Sequence, residues 1–152
     1  MKFKIYDLYS GGSLFEVVLA LGVMTLITVG IVILTTHTVR NSSFSRNKNL
    51  ASKYALEAIE WIRSERDKNI NSFVNNAANP LYCLDSLTWT NVGACSSNEF
   101  ISESIFLRNL RLETALISGK SEISATVIVS WTDAQGYHES RSTTTFSDIR
   151  ER

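Results

Sequence analysis

The chain is poor in the residues that carry most catalytic and metal chemistry. It has 152 residues but only one Pro, two Cys, two His and two Met. The two cysteines, Cys83 and Cys95, are not in a CxxC spacing, and with two His they do not make a zinc ligand set. His37 abuts an apolar run and His138 falls in a predicted strand. Neither has a Ser or Cys beside it in an activating motif, so the chain is read as non-enzymatic, with no metal or cofactor. Gly11-Gly12 precedes no Lys-Ser or Lys-Thr, which excludes a phosphate loop there. Net charge is also absent, with 15 Lys and Arg against 15 Asp and Glu. No basic field therefore argues for nucleic acid, and no acidic excess argues for disorder. Aromatics make up 10% of the chain and Pro is scarce, so a folded protein is expected.

Apolar length is what the chain has in excess. Val17 to Thr36, VVLALGVMTLITVGIVILTT, is a run of 20 residues without a formal charge. A helix needs about 20 apolar residues to cross a bilayer. The run is too long for the apolar region of a secretory signal peptide, and no small-x-small site follows it. Before it stands Gly11-Gly12-Ser13-Leu14-Phe15-Glu16, behind a leader with Lys2 and Lys4. A membrane anchor gains nothing from Glu16, because an unpaired carboxylate in hydrocarbon is costly. A charge kept at that place points to a partner charge.

Gly11 through Glu16 and the apolar stretch after it resemble the type IV prepilins and their type II secretion relatives, the pseudopilins. Those proteins carry Gly at a cleavage site, then an apolar stretch with Glu fifth after the cut. Cleavage between Gly11 and Gly12 makes Glu16 fifth; cleavage after Gly12 makes it fourth and matches less well. Gly12 itself departs from the family, which usually has Phe or Met first. The resemblance implies a prepilin peptidase that cuts there and N-methylates Gly12. It also implies that Glu16 pairs with the free amine of a neighbouring subunit during filament assembly. Ser-Leu-Phe-Glu-Val-Val-Leu-Ala-Leu is similar to PilV-like minor pilins. The Pro common in major pilin helices is missing, and Ile33 stands in its place. The function so implied is that of a structural subunit, minor pilin or pseudopilin. Its partners would be the peptidase, membrane lipid before assembly and other pilin subunits through the N-terminal helix. The alternative is a single-span, membrane-anchored extracytoplasmic binding module that never polymerises.

Four segments are expected: a leader 1–11, an apolar helix 12–40, an amphipathic helical half 41–68 and a globular head 69–152. Residues 13 to about 68 read as one long helix with a possible linker at Asn41-Ser42-Ser43. Gly22 and Gly30 would let other helices approach, while Thr25, Thr28, Thr35 and Thr36 can bond back to helix carbonyls. From Leu50, the residues Ala51, Tyr54, Ala55, Ala58, Ile59 and Ile62 share one face, with Lys53, Glu57, Glu60 and Arg63 opposite. The Asn-rich stretch Asn69 to Pro80 reads as a helix stop and a loop. Ser121 to Trp131 alternates as a strand with Ile123, Ala125, Val127, Val129 and Trp131 on one side. Asp133-Ala134-Gln135-Gly136 is a turn, Tyr137 to Phe146 a return strand, and Ile105 to Leu112 a third strand. His138 with Glu139 reads as an exposed strand pair. Tyr82, Trp89 and Phe100, around the cysteine loop, read as core, with an adhesive patch as the alternative.

The fold class is therefore α+β. A long N-terminal helix, apolar in its first half, packs by its second half on a small antiparallel sheet. Cys83 and Cys95 form a disulfide if the head is extracytoplasmic and are two free buried thiols otherwise. The charges leave topology open. Arg40, Arg46, Lys48 and Lys53 follow the span, while the leader offers Lys2, Lys4 and the amino terminus against Asp7. The positive-inside rule alone leans toward an internal head. The prepilin resemblance implies the reverse: a single-pass protein of the bacterial cytoplasmic membrane with its head outside, later moved to a cell-surface filament.

Overall fold

The computed structural model describes residues 13–117 and 120–147. Helix α1 is Leu14–Lys68, α2 is Ile70–Asn76, β1 is Leu81–Cys83, β2 is Leu107–Ile117, β3 is Lys120–Asp133 and β4 is Gly136–Ser147. The strands form one antiparallel sheet in the order β1-β2-β3-β4. The chain divides between Phe44 and Ser45 into two compact units. The first holds the apolar part of α1. The second holds the rest of α1, α2 and the sheet. The α+β class and the helix packed on an antiparallel sheet match the sequence reading.

The amphipathic stripe explains how α1 covers the sheet. Ala51, Ala55, Ala58, Ile59 and Ile62 are all buried, while Lys53, Glu57, Glu60 and Arg63 are exposed. Tyr54 lies at the margin of the stripe, half-buried, with its ring 5.5 Å from Phe106. Beneath the stripe, β3 turns Ile123, Ala125, Val127, Val129 and Trp131 inward, as the alternation requires. Leu110 and Leu112 of β2 join them, with Leu110 opposite Val127 and Leu112 opposite Ala125. On β4 the same face is mostly hydroxylic. There Ser52 and Ser140 meet at 3.1 Å and Arg63 donates to the Thr144 hydroxyl at 3.5 Å. Arg66 closes this side over the Phe146 ring at 5.0 Å.

Four local expectations change. Asn41-Ser42-Ser43 is no linker: α1 runs through it. Three residues of modest propensity each cost a few tenths of a kcal/mol, about 1–2 kcal/mol together, too little to break a helix already propagating on both sides. Asn69 ends α1, but it also caps α2, its side-chain oxygen accepting from the Ser72 amide at 3.0 Å. Phe73 of α2 is 1% exposed and packs edge-on to Phe146 at 5.3 Å, so the Asn-rich stretch is anchored by its one aromatic. Strand β2 starts at Leu107 and runs to Ile117, five residues past the expected end. Leu112-Glu113-Thr114-Ala115 has helix-favouring members, but register with β3, from Leu112↔Ala125 to Ile117↔Lys120, draws it into the sheet. Strand β1 exists only as an addition to the edge of β2, with Tyr82 opposite Leu110. The expected turn holds: Asp133 pairs with Gly136 across Ala134-Gln135, and Gly136 takes a positive φ of 119°.

One charge is buried in this core. Arg108 of β2 is 2% exposed, faces α1 and is opposite Val129. Its Nε donates to the Leu84 carbonyl at 2.9 Å, and its Nη1 donates to the Tyr54 carbonyl at 3.2 Å and to Glu57 Oε2 at 3.1 Å. Burial lowers the guanidinium's pKa from its ordinary value, and the Glu57 carboxylate opposes that shift. The ion pair thus joins helix to sheet, with Glu57 half in solvent. Glu57→Gln should cost about 1–3 kcal/mol, the range for a lost hydrogen bond to a charged group. Arg108→Ala should cost about 3–5 kcal/mol, because it opens a cavity in the core and takes a donor from the Leu84 and Tyr54 carbonyls. Urea unfolding of the full chain in lipid nanodiscs should rank the midpoints parent, Glu57→Gln, Arg108→Ala.

Candidate functional site

The first candidate site is the start of α1. Gly11 and Gly12 lie outside the described residues. Glu16 is in the first turn of α1, where its amide donates to the Ser13 carbonyl at 2.8 Å. A carboxylate in a first helical turn meets the positive end of the helix dipole. Beyond it, every residue from Val17 to Thr36 is exposed except Gly30, which is half-buried. This includes the consecutive residues Ile31, Val32, Ile33 and Leu34, which point to four different sides of the helix. A helix apolar all round belongs in lipid or among other apolar helices. By length and composition α1 could cross a membrane. Its hydroxyls are already satisfied. Thr28 donates to the Met24 carbonyl at 2.8 Å, Thr35 to Ile31 at 2.8 Å and Thr36 to Val32 at 2.9 Å, and Thr25 bonds back to Leu21 in the same way. A Cβ added at Gly22 or Gly30 would meet nothing within 4 Å among the described residues.

Magnitudes show what Glu16 can and cannot do. Burying one large apolar side chain stabilises by about 1.5–3 kcal/mol. A carboxylate near the centre of a membrane helix costs about 2.5–3.5 kcal/mol on insertion scales, and less near the interface. The apolar run outweighs one carboxylate several times over. Glu16 alone therefore does not outweigh the tendency of the helix to leave water.

The second candidate site is the cysteine loop. Cys83 and Cys95 are joined by a disulfide, with Cα atoms 4.7 Å apart and a sequence separation of 12. The loop folds back along β1: Cys83 N donates to the Asn91 carbonyl at 2.9 Å and Gly93 N donates to the Leu81 carbonyl at 2.8 Å. Gly93 makes the return with φ at 117°, a conformation side chains disfavour. The backbone of Cys95 is held by Asn109 Oδ1 at 2.8 Å. At the tip, Trp89 reaches α1. Its ring is 4.7 Å from Trp61 and 5.1 Å from Tyr82, and its Nε1 donates to Glu65 at 3.0 Å. Hydrogen bonding to Lys68 is the main cause that lowers the Glu65 pKa below its ordinary value.

Tyr82 is buried in the core, as expected, and Trp89 packs on it half-buried, but Phe100 stays outside the core. It is 44% exposed. His138 is not paired with Glu139 either. It lies 3.0 Å from Asp133 Oδ1 and its ring packs 5.2 Å from Trp131, while Glu139 pairs with Arg141. Register accounts for this: on an antiparallel strand adjacent residues point to opposite faces, and His138 stands across from Trp131. No spacing rule would have found Arg108 or Glu57, whose meeting depends on α1 crossing β2. Among the described residues no group of three or more His, Cys, Asp and Glu side chains comes together.

Compared with family models, curated proteins and solved structures, the chain matches none of them.

Replacing Cys83 and Cys95 by Ser should destabilise the head by about 3 kcal/mol in the chain-entropy picture for a loop of this length. The measurement is urea unfolding with and without reductant. The parent should fall to the double variant's midpoint on reduction, and the variant should not respond.

Proposed function

We propose that this chain is a pilin-like structural subunit, a minor pilin or pseudopilin, that assembles through the first half of α1. The observation that carries the reading is the combination on one helix of an uncovered, membrane-length apolar surface and Glu16 in its first turn. In this reading the helix first stores the subunit in the cytoplasmic membrane and then exchanges lipid for neighbouring helices. Its apolar surface stays out of water in both states. Glu16 is tolerable in the assembled state only against a positive charge, and cleavage between Gly11 and Gly12 would create one at the new amino terminus. Pairing two charges in an apolar surrounding favours a single axial register of helix against helix. The disulfide supports an extracytoplasmic head, since such bonds persist in oxidising compartments. The role is structural, with no cofactor.

Gly11→Val should block cleavage, seen by mass spectrometry as an intact leader, whereas the parent should begin at a methylated Gly12. Normal processing of Gly11→Val, or a parent N-terminus downstream of the apolar run, would overturn the reading. Glu16→Ala should be processed and membrane-bound yet poorly assembled. Losing a buried charge's partner costs about 3–5 kcal/mol, and here the cost falls on the assembled state alone. Glu16→Asp should be partly defective. The readout is the ratio of sheared-filament to membrane-bound protein; a parental ratio in Glu16→Ala would favour an anchored module that does not polymerise.

A further inference from the structure

The side of the sheet turned away from α1 is hollow at one end. Leu107 stands opposite Ser130, and Thr132 opposite Tyr137. By strand alternation these four face away from Arg108, Val129 and Trp131, which lie toward α1. The segment between Ser97 and Ile105 walls the hollow. It takes a tight turn there: Ile101 N donates to the Phe106 carbonyl at 2.9 Å, and Ser104 N donates to the Ile101 carbonyl at 3.0 Å. The cavity is about 370 Å³, within the range of roughly 300–1,000 Å³ typical of small-ligand sites.

Its chemistry is selective. No Asp, Glu, Lys, Arg or His lines it. A phosphate, carboxylate or ammonium ligand would give up hydration there without a counter-charge. Three aromatic residues line it instead, Phe100, Trp131 and Tyr137, and two of them present exposed rings. Phe100 is 44% and Tyr137 65% exposed, against 1% for the core aromatics Phe73 and Tyr82. Hydroxyls stand beside them. The Ser104 hydroxyl is committed to the turn, donating to the Ile101 carbonyl at 2.7 Å and accepting from Phe106 N at 3.2 Å. Ser130 is different. It is only 5% exposed, and its side chain makes no hydrogen bond among the described residues. Thr132 and the Tyr137 phenol flank it.

The geometry points to a binding site for a neutral sugar, a single pyranose or the end of an uncharged glycan. A pyranose has a face of C–H groups and a rim of hydroxyls. The C–H face suits the electron-rich faces of Phe100 and Tyr137. The rim can donate to and accept from Ser130 and Thr132, since hydroxyls do both. An apolar side chain from a protein partner would fill the same volume but seal the Ser130 hydroxyl without a bond, at a cost the sugar avoids. The site lies wholly within the head and does not depend on how, or whether, the chain assembles.

The test uses the full chain in lipid nanodiscs, avoiding sugar-headed detergents that would compete. The probes are methyl glucopyranoside, methyl galactopyranoside, methyl mannopyranoside and maltotriose, read by saturation-transfer NMR. At least one should receive saturation at millimolar concentration, mainly on its ring C–H protons. Phe100→Ala and Tyr137→Ala remove exposed rings and so leave the core intact. Each should weaken binding about fivefold to tenfold, the value of one stacked aromatic contact. Ser130→Ala should also weaken the sugar, whereas in an apolar docking groove it would tighten an apolar dye. The inference is overturned if none of the four probes receives saturation, if both ring variants bind like the parent, or if Ser130→Ala binds the sugar as well as the parent while binding the dye more tightly.

Discussion

The apolar stripe of α1 from Ala51 to Ile62 must be covered, and the rest of the head is arranged to cover it. Ala51, Ala58 and Ile62 are fully buried, and Ala55 and Ile59 nearly so. Small residues lie at the beginning and middle of that stripe and isoleucine lies toward its end. Beneath it, β3 supplies a column of inward residues and β2 supplies Leu110 and Leu112. Where the stripe ends, polar contacts take over: the Arg108–Glu57 pair on one flank, Ser52 with Ser140 and Arg63 with Thr144 on the other. These contacts add orientation more than energy. An ion pair with one exposed member gains little Coulomb energy, but Arg108 also ties the Leu84 and Tyr54 carbonyls, so it joins β2 to the cysteine loop and to α1 at once.

The same helix carries a second apolar surface on which nothing rests among the described residues. Its residues from Leu14 to Thr36 are apolar on every side, whereas the stripe from Ala51 is apolar on one. This difference separates a helix that uses its own fold as a partner from one that needs lipid or other helices. Threonines satisfied by their own carbonyls remove the polar penalty of such a surface. Glu16 is the exception, and its position in the first turn makes it a selector of neighbours in the proposed assembly.

The disulfide and the aromatic cluster act on the same loop from opposite ends. Cys95 closes the loop at its base, and Trp89 anchors the tip against Trp61, Tyr82 and Glu65. With both ends held, the segment after Cys95 is led to the other side of the sheet. There Phe100 and Ile105 stay exposed around a cavity that includes Ser130 and Tyr137. The two faces of the sheet therefore have different tasks: one is filled by a helix, and the other keeps a rim of aromatic and hydroxyl groups open.

Periodicity alone gave α1, its inward stripe, β3 and the turn at Gly136, because each depends on a local pattern: a run of apolar residues, spacings of three and four, alternation, and a glycine at positive φ. The cysteine pair was legible as an alternative between a disulfide and free thiols. The resemblance at Gly11 through Glu16 was likewise a matter of adjacent residues. Local pattern could not reveal β1, the extension of β2 to Ile117 or the short helix after Asn69. A three-residue strand has no period, and Leu112 to Ala115 favours another state until β3 supplies hydrogen bonds. It could not separate Phe100 from Tyr82 and Trp89 either, since neighbours in sequence reach opposite faces of a sheet. Arg108 with Glu57 joins residues 51 positions apart, and the hollow around Ser130 forms where the segment from Ser97 to Leu107 meets the one from Ser130 to Tyr137. Such contacts form when tertiary packing fixes register and crossing, which no short window of sequence encodes.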